Sequence, residues 1–340
     1  MKLLLTGASG FFGSNLVDLL LQPSTSAAAE DPNRAGTRGP RVERHRPPFE
    51  MHLVHRSDRS AASPTGRPDG PRVVDHRCDL FDERATSALV EQVKPSHLCH
   101  LAWLGPETED RYRSPENRRW VDASKHLFEA FAEHGGRRLV HLGSCIEYGN
   151  TATGVRVETQ PLDPDTPYGE AKAELSTHVL AMGSALSTAV ARPFFSYGPH
   201  EQPDRLVSSL ILALLRDREI DLTEGRQRRD YLHAGDVVAA LWALLRSEAT
   251  GPFNIGSGEA VEVRSIAEHL GRITGRATLL NFGARPEGAD TAAEIVADIG
   301  RITSATEWKP TIELGPGLEE TTAWWAQRVG ETPQPGGDDQ

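Results

Sequence analysis

The chain has 340 residues, of which 38% are hydrophobic and 25% charged, a composition typical of a soluble globular protein with one large domain or two closely joined domains. The formal net charge of -11 argues against the basic face that nonspecific nucleic-acid binding requires, so we expect no nucleic-acid partner. The three cysteines, Cys78, Cys99 and Cys145, have neither a pairing pattern nor metal-ligand spacing. They favour reduced thiols, a cytoplasmic location and no metal site.

The first residues, MKLLLTGASG, do not resemble a secretory signal, because glycines interrupt the apolar run almost at once. We find no apolar stretch long enough to cross a bilayer, so we expect no membrane partner.

Short apolar runs alternate with helical patterns through the first half of the chain. Strands are predicted at 2–6, 51–56, 72–79, 97–103 and 137–144, and helices at 14–22, 83–93 and 115–134. Because both faces of these strands are apolar, the pattern predicts a parallel sheet with helices on both sides. Residues 23–50 have no such period and are rich in Pro, Arg, Gly, Ala and Ser, which predicts a flexible insertion.

The second half mixes helical patterns with short strand-like pieces. We therefore predict a Rossmann doubly wound α/β domain over 1–190 and a smaller mixed α/β substrate-binding lobe over 191–330. Some segments of the lobe are expected to return to the first domain. The last residues, 331–340, are predicted to be a disordered tail.

The sequence GASGFFG places Gly7, Gly10 and Gly13 between the first strand and the first helix. Glycines at such a turn let the backbone approach a pyrophosphate at a helix N-terminus. A plain strand–helix turn is the alternative, since three glycines alone are a weak signal. The position at the start of the chain, the strand–helix alternation, and Asp79 and Leu80 at the end of the third strand favour a dinucleotide site.

The second predicted strand ends in His55 and Arg56, where an acidic residue usually holds the adenosine ribose of a dinucleotide. An arginine suits a 2′-phosphate, which favours NADP over NAD. A solvated basic loop is an alternative, and Asp58 could also serve as the ribose acceptor. The choice between NADP and NAD stays open at this point.

Tyr168 and Lys172 are four residues apart on a helix that Thr166 and Pro167 are suited to begin. A nearby ammonium can lower a phenol pKa, which would make tyrosine a proton shuttle near neutral pH. An exposed side-chain pair is the alternative interpretation. Ser144, at the end of a predicted strand, favours an active site, because chemistry in parallel sheets collects at the carboxyl ends of strands.

The motifs GASGFFG, CDL, HLAW, GSCIEYG, PYGEAK, RPFFSYGP, RRDYLHAGDV and FNIGSGEAVEV occur in the order seen in the extended short-chain dehydrogenases/reductases. The chain resembles this family over about residues 1–22 and 51–328. The family includes NAD(P)-dependent nucleotide-sugar epimerases, dehydratases and 4-ketoreductases. The resemblance implies a nucleotide-diphosphate sugar as substrate, and we expect a homodimer.

The resemblance also implies roles for individual residues. It makes Ser144, Tyr168 and Lys172 the catalytic residues. The expected cofactor contacts are Gly7, Ser9, Gly10, Phe11, Phe12, Gly13, Arg56, Asp79, Leu80, Leu101, Ala102, Trp103, Tyr168, Lys172 and Pro193. The expected substrate contacts are Ser144, Phe195, Arg229 and Arg285, of which Arg285 could instead be an ordinary surface residue.

The chain departs from the family at several of these motifs. Phe195 and Trp120 stand where asparagine is common, which suggests a less polar sugar such as a 6-deoxysugar. The 4,6-dehydratases carry Thr-Asp-Glu where this chain has Ser144, Cys145 and Ile146, and cysteine and isoleucine cannot supply the acid and base of dehydration. Glu147 comes one position too late and should point elsewhere.

These departures favour an NAD(P)H-dependent ketoreductase that acts on a nucleotide-linked deoxysugar at C4. A 4-epimerase with tightly bound NAD is the alternative. A catalytically idle dinucleotide-binding regulator is less favoured, because it would have no need of a proton shuttle.

Overall fold

A computed structural model describes residues 1–22, 49–56, 70–104, 110–150, 152–287 and 292–330. Most of the proposed insertion 23–50, the alternative ribose acceptor Asp58 and the proposed tail 331–340 lie outside the described residues.

The described residues form a central seven-stranded sheet in which each neighbouring pair of strands is parallel. Its strands are β1 (Lys2–Thr6), β2 (Glu50–His55), β3 (Arg72–Arg77), β4 (His97–His100), β5 (Arg138–Leu142), β7 (Ser187–Pro193) and β12 (Gly251–Ile255). Their spatial order is β3-β2-β1-β4-β5-β7-β12, so the strand order reverses between β1 and β4. This is the doubly wound Rossmann arrangement that the sequence predicts.

Helices cover both faces of the sheet. One face packs against α1 (Phe11–Leu21) and α6 (Ala234–Arg246), with Leu16 and Leu241 in a shared apolar core. The other face packs against α2 (Glu83–Val93), α3 (Glu116–Glu133) and α4 (Pro167–Ala181). With both faces covered, the central strands are fully buried, which explains their continuous apolar sequence.

Local sequence sets the start of α4, which carries Tyr168 and Lys172. Thr166 has extended backbone and its hydroxyl accepts a hydrogen bond from the Gly169 N–H at 3.1 Å, and Pro167 occupies the first helical position. This capping arrangement fixes where the helix begins and therefore which residues face the sheet edge.

The smaller lobe contains three small sheets and a helical layer. β13 (Val261–Glu262), β10 (Arg228–Arg229), β15 (Glu294–Ala297) and β6 (Gly154–Arg156) form one sheet in that order. β8 (Phe195–Tyr197) pairs with β11 (Tyr231–His233), and β9 (Ile220–Leu222) pairs with β14 (Leu280–Phe282). The helices of the lobe are α5 (Leu206–Leu215), α7 (Val263–Thr274) and α9 (Leu314–Ala326). The short α8 (Gly300–Thr306) packs instead against β12 and α6, on the central sheet.

The chain crosses more than once between the central sheet and the smaller lobe. β12 returns to the central sheet beside β7, whereas β6, which lies early in the chain, joins the sheet of the smaller lobe. The segment 187–197 is divided into β7 and β8, which belong to different sheets. The division into 1–190 and 191–330 stays a prediction. No helix within the described ranges is both long and apolar enough to span a bilayer.

Candidate active site

At the glycine turn after β1, the backbone passes so close to neighbouring backbone that a side chain would not fit at two of the three glycines. Gly7 has φ +71, and a Cβ there would lie 2.6 Å from the main-chain N of Ala102, which follows β4. A Cβ at Gly13 would lie 2.0 Å from the Gly7 carbonyl oxygen, so only glycine lets α1 approach the turn. A Cβ at Gly10 would meet only that oxygen, at 3.4 Å, so the space in front of Gly10 is open.

The start of α1 is suited to an anion. Gly10 occupies the N-cap position, no described side chain caps it, and the first turn carries no acidic residue. The first N–H groups of a helix are unsatisfied by the helix itself and lie at its positive end. Open space, uncapped N–H groups and the glycine turn together fit the pyrophosphate of a dinucleotide.

Other expected cofactor contacts surround this turn at the carboxyl edge of the sheet. Leu101, Ala102 and Trp103 follow β4, and Pro193 ends β7. Ser9 lies exposed within the turn, and Phe11 and Phe12 begin α1 with their ring centroids 4.6 Å apart.

The remaining expected cofactor contacts come after β2 and β3 of the same sheet. Arg56 follows β2 and is exposed, next to His55, whose Nε2 lies 2.8 Å from Asp75. Asp79 is exposed and accepts a hydrogen bond from the Phe81 N–H, and Leu80 is buried. The fold thus brings these residues to the edge where a dinucleotide would lie, and their contacts with it stay a prediction.

Ser144 lies where β5 leads into a short 3-10 helix, Cys145–Tyr148. Its hydroxyl accepts a hydrogen bond from the Ile146 N–H at 3.2 Å, and its own N–H donates to Glu147 Oε1 at 2.8 Å. The sequence placed Ser144 in a strand, but it is the N-cap of this helix, because the reciprocal hydrogen bonds form a capping box. Its side chain also lies near enough to Tyr168 to act on the pKa of that phenol, in the direction that lowers it.

Lys172 is 3% exposed and lies one turn after Tyr168 on α4. Its Nζ donates to the Leu142 carbonyl at 2.9 Å and lies 3.9 Å from the centre of the Trp103 ring. The same Nζ is 5.9 Å from the centre of the Tyr168 ring. The structure therefore brings Ser144, Tyr168 and Lys172 together next to the glycine turn.

The electrostatics of this group differ from the sequence expectation. Burial raises the pKa of Tyr168 above its ordinary value, and the Ser144 side chain and the Arg205 charge only partly oppose this. Burial also lowers the pKa of Lys172 to about 7, because an ammonium is poorly solvated there, while Glu147 acts to raise it. The expectation that Lys172 lowers the Tyr168 pKa failed because burial dominates and Lys172 directs its ammonium at Leu142 and Trp103.

The residues after Ser144 offer no accessible carboxyl group. Burial raises the pKa of the Cys145 thiol to about 12, so it is neutral, and Ile146 has no titratable group. Glu147 is 0% exposed and its Oε2 accepts a hydrogen bond from Arg192 Nε at 2.8 Å. As expected, Glu147 points away from the site, and the structure shows that it points into the core.

Three of the expected substrate contacts line one pocket. Phe195, Arg229 and Arg285 come from β8, β10 and the loop after β14. Arg229 is 5% exposed, and its guanidinium carbon lies 5.6 Å from the Phe195 ring centre. Arg285 is exposed, and its N–H donates to the Leu222 carbonyl at 3.0 Å.

The sequence missed several residues of this region. Gln227 lies in the same pocket, and its Oε1 is buried with no hydrogen-bond partner in the described part of the chain. Its position two residues before Arg229 was a usable signal, since alternate residues of a strand share a face. Arg264 and Phe282 also line the pocket, and the Arg264 guanidinium carbon lies 4.0 Å from the centre of the Phe282 ring.

Tyr112 and Arg205 were missed as well, and no sequence spacing connects them to Tyr168. The Tyr112 carbonyl accepts a hydrogen bond from the Tyr168 N–H at 3.0 Å, and the two rings meet edge to face at 5.6 Å. Arg205 Nη1 donates to the Tyr112 hydroxyl at 3.3 Å. Tyr112 and Arg205 line a second pocket, which shares Phe195, Leu206 and Tyr231 with the first.

A doubly wound dinucleotide-type sheet with a tyrosine–lysine helix beside its glycine turn defines an extended short-chain dehydrogenase/reductase, and the expected fold is confirmed. A model of the NAD dependent epimerase/dehydratase family matches residues 3–256. The chain therefore belongs to that family, and the prediction that it is an NAD(P)-dependent enzyme of this type is confirmed.

Relatives and solved structures resemble the chain over almost its full length. A dTDP-glucose 4,6-dehydratase from Actinoplanes sp. is 26% identical over 96% of this chain and 98% of its own. MoeE5, solved in complex with UDP-glucose and NAD, is 26% identical, with a TM-score of 0.75 over 97% of this chain and 100% of its own. The UDP-glucose 4-epimerase of Thermotoga maritima shares the fold, with 21% identity and a TM-score of 0.76 over 97% of this chain and 100% of its own.

Proposed function

We propose that the protein is an NAD(P)H-dependent ketoreductase that acts on the C4 carbonyl of a nucleotide-linked 6-deoxysugar. The turn after β5 carries this proposal. Ser144 lies near Tyr168 beside the glycine turn and acts to lower its pKa, whereas Cys145 and Ile146 follow it with no carboxyl group and Glu147 is paired with Arg192. The site therefore has the hydroxyl groups that a hydride transfer to a carbonyl needs, and it lacks the carboxyl groups that would act as acid and base in the elimination of water.

Two side chains then divide the work at the carbonyl. The Ser144 hydroxyl donates a hydrogen bond to the carbonyl oxygen, and the Tyr168 hydroxyl gives its proton to the same oxygen as it becomes an alcohol. Reduced nicotinamide, when bound, supplies the hydride. Burial raises the pKa of Tyr168, which keeps the phenol protonated and suits the proton donor that a ketone reduction requires.

The lobe is suited to the rest of the substrate. Arg229 and Arg285 offer charged donors to a diphosphate, for which guanidinium groups are well matched. Phe195 and Tyr231, with ring centres 5.7 Å apart, line both pockets between Arg229 and Tyr112. An aromatic wall at this place favours a sugar that has lost a hydroxyl group.

A 4-epimerase is the second candidate. The family description and the NAD and UDP-glucose bound to MoeE5 favour it. Tyr168 would then act twice, with Ser144 hydrogen-bonded to the same oxygen. It would first take the proton of the C4 hydroxyl while the hydride from C4 goes to NAD, and would return that proton when the hydride goes back to the opposite face. Membership of an enzyme family leaves the idle regulator without support.

The finer cofactor choice is also part of the proposal. Arg56, at the end of β2, favours NADP by its charge, whereas the solved relative MoeE5 holds NAD. The homodimer stays a prediction, which light scattering of the purified protein would check.

The test is an incubation with dTDP- and UDP-linked 4-keto-6-deoxyglucose and either NADPH or NADH. A ketoreductase consumes reduced cofactor in equal amount to the alcohol formed. A change of configuration at C4 of an unreduced nucleotide hexose, with no net change in cofactor, would establish the epimerase instead. Formation of a 4-keto-6-deoxysugar from a nucleotide hexose would overturn both, because it requires elimination of water.

A further inference from the structure

The second pocket contains a buried carboxyl group that the proposed reaction leaves unused. Glu201, in the loop between β8 and α5, is 5% exposed and lines this pocket, whose volume is about 390 Å³. Among the described residues, Ser208 alone hydrogen-bonds to this carboxyl, with its hydroxyl oxygen 2.6 Å from Glu201 Oε2. The same hydroxyl accepts a hydrogen bond from Trp325 Nε1 at 3.2 Å, so the carboxyl is held in place from α5 and α9. A carboxylate can accept more hydrogen bonds than Ser208 supplies, which leaves acceptor positions for a ligand.

The charge of Glu201 is not neutralised by an ion pair. Of the arginines that the structure describes in this pocket, neither is paired with Glu201. Arg111 Nη2 lies 3.7 Å from Asp204 Oδ2, and Arg205 Nη1 donates to the Tyr112 hydroxyl at 3.3 Å. Burial raises the pKa of Glu201 to about 7, and its hydrogen bond and the Arg205 charge only partly oppose this. The protein alone therefore stabilises the ionised carboxyl poorly, so a ligand that donates a hydrogen bond to it binds more tightly.

The two charges of the pocket, Glu201 and Arg205, set the kind of ligand group that fits. An ammonium group would be attracted by Glu201 and repelled by Arg205, and a carboxylate would meet the reverse. A hydroxyl group can donate to the carboxylate and accept from the guanidinium at the same time. The pocket therefore suits a neutral hydroxyl group of a sugar. A single carboxyl does not supply the pair of acid and base that elimination of water requires.

The pocket lies one side chain away from the proton donor Tyr168. Tyr112 lines the pocket, and its ring meets the Tyr168 ring edge to face, with the ring centres 5.6 Å apart. Arg205, which donates to the Tyr112 hydroxyl, also acts on the pKa of Tyr168. A hydroxyl bound between Glu201 and Arg205 would thus belong to a carbon next to the one that reacts. When C4 reacts in a 6-deoxysugar, that carbon is C3, because C5 carries the methyl group and the ring oxygen.

We propose that Glu201 is a substrate-binding residue, which together with Arg205 binds the C3 hydroxyl of the nucleotide-linked sugar and selects sugars that keep this hydroxyl. The assignment to C3 rests on the proposed function, because it takes C4 as the reacting carbon. The selection by Glu201 does not depend on turnover, because binding can be measured without a reaction.

The measurement is isothermal titration calorimetry of the protein without added cofactor. The first probe is dTDP-linked 6-deoxyglucose, which the proposed reduction would form. The other probes are its 2-deoxy, 3-deoxy and 3-amino-3-deoxy analogues, and a UDP-linked series is measured in parallel. Glu201→Gln keeps the shape of the side chain and removes its charge. Asp204→Asn is the matched control, since it makes the same change in the same pocket at a side chain that is 70% exposed.

We expect the unmodified protein to bind the 3-deoxy probe at least tenfold more weakly than the 3-hydroxy probe, because a hydrogen bond to a charged group is lost. The 3-amino probe should also bind more weakly than the 3-hydroxy probe, because Arg205 repels an ammonium. In Glu201→Gln the ratio of the 3-deoxy to the 3-hydroxy dissociation constant should fall to about threefold, since a neutral hydrogen bond is weaker. Asp204→Asn should keep the ratio of the unmodified protein.

Equal affinity of the unmodified protein for the 3-hydroxy and 3-deoxy probes would overturn the proposal, and this result does not depend on how well a variant folds. Failure of both nucleotide series to bind would overturn it as well. An unchanged ratio in Glu201→Gln would remove Glu201 from the site. Tighter binding of the 3-amino probe would show that an ammonium, and not a hydroxyl, is the preferred group.

A loss of affinity with the 2-deoxy probe instead of the 3-deoxy probe would overturn the assignment to C3. Failure of the proposed function alone shows itself differently. The binding ratios would then behave as expected, while no reduced cofactor is consumed with any nucleotide-linked 4-ketosugar.

Discussion

The turns that follow β1 and β5 share one plan and differ in what occupies the helix start. After β1, Gly7, Gly10 and Gly13 bring bare backbone to the sheet edge, and no described side chain caps α1. After β5, Ser144 and Glu147 cap the short helix Cys145–Tyr148 with their own side chains. An uncapped helix start can bind an anion, whereas a capped one holds its capping side chain in a fixed place.

Because of this difference, we expect the turn after β1 to bind the cofactor and the turn after β5 to take part in the reaction. Both turns lie at the carboxyl edge, where the neighbouring strands β1, β4 and β5 end. Substitutions at the first turn should therefore change cofactor affinity and stability. Substitutions around the second turn should change turnover while the cofactor still binds.

The largest expected effect concerns the second turn. Tyr168→Phe should lower kcat by about 10²–10⁴-fold, because the hydroxyl that carries the proton is lost. The dissociation constant for the nicotinamide cofactor, measured by fluorescence quenching, should change little, since Lys172 and the ring remain. Tyr148→Phe is the control, because its hydroxyl donates to Asn254 in the core and should affect stability alone. Turnover within a few-fold of the unmodified protein would remove Tyr168 from the mechanism.

The next effect concerns the first turn. Gly13→Ala should lower the free energy of unfolding by about 1–3 kcal/mol, because its methyl group would lie 2.0 Å from the Gly7 carbonyl and force α1 outward. Gly10→Ala is the matched control, since its methyl group would meet only that oxygen at 3.4 Å. It should leave stability nearly unchanged and weaken cofactor binding. Denaturant titration and calorimetry measure the two quantities, and equal stability of both variants would contradict this account of the turn.

The smallest effect concerns the adenosine end of the same site. Arg56→Ala should raise KM for NADPH about tenfold, because one charge-assisted contact is lost, and leave KM for NADH unchanged. Steady-state assays with both cofactors check this. If NADH serves as well as NADPH and the substitution changes neither KM, Arg56 does not select the cofactor.

Local sequence was enough to predict the parts of the site that lie close together along the chain. Gly7, Gly10 and Gly13 indicated the first turn, and the four-residue spacing of Tyr168 and Lys172 indicated one helix face. The bounds of β1 and α2 agree with the sequence prediction, because apolar period and capping residues are local signals. The family motifs added Phe195, Arg229 and Arg285, which do line one pocket.

Sequence alone determined that this chain forms a doubly wound parallel sheet with a glycine turn and a Tyr–Lys helix, since those features depend on short-range periodicity and spacing. Only the tertiary structure decided where Glu147 points, because Arg192 is 45 positions away and is brought close by the pairing of β5 with β7. The tertiary structure likewise brings Arg205 to Tyr112 and Lys172 to the Trp103 ring, since these residues are also far apart along the chain. The pKa values of Tyr168 and Lys172 were also decided there, because burial sets them and burial is a property of the packed molecule.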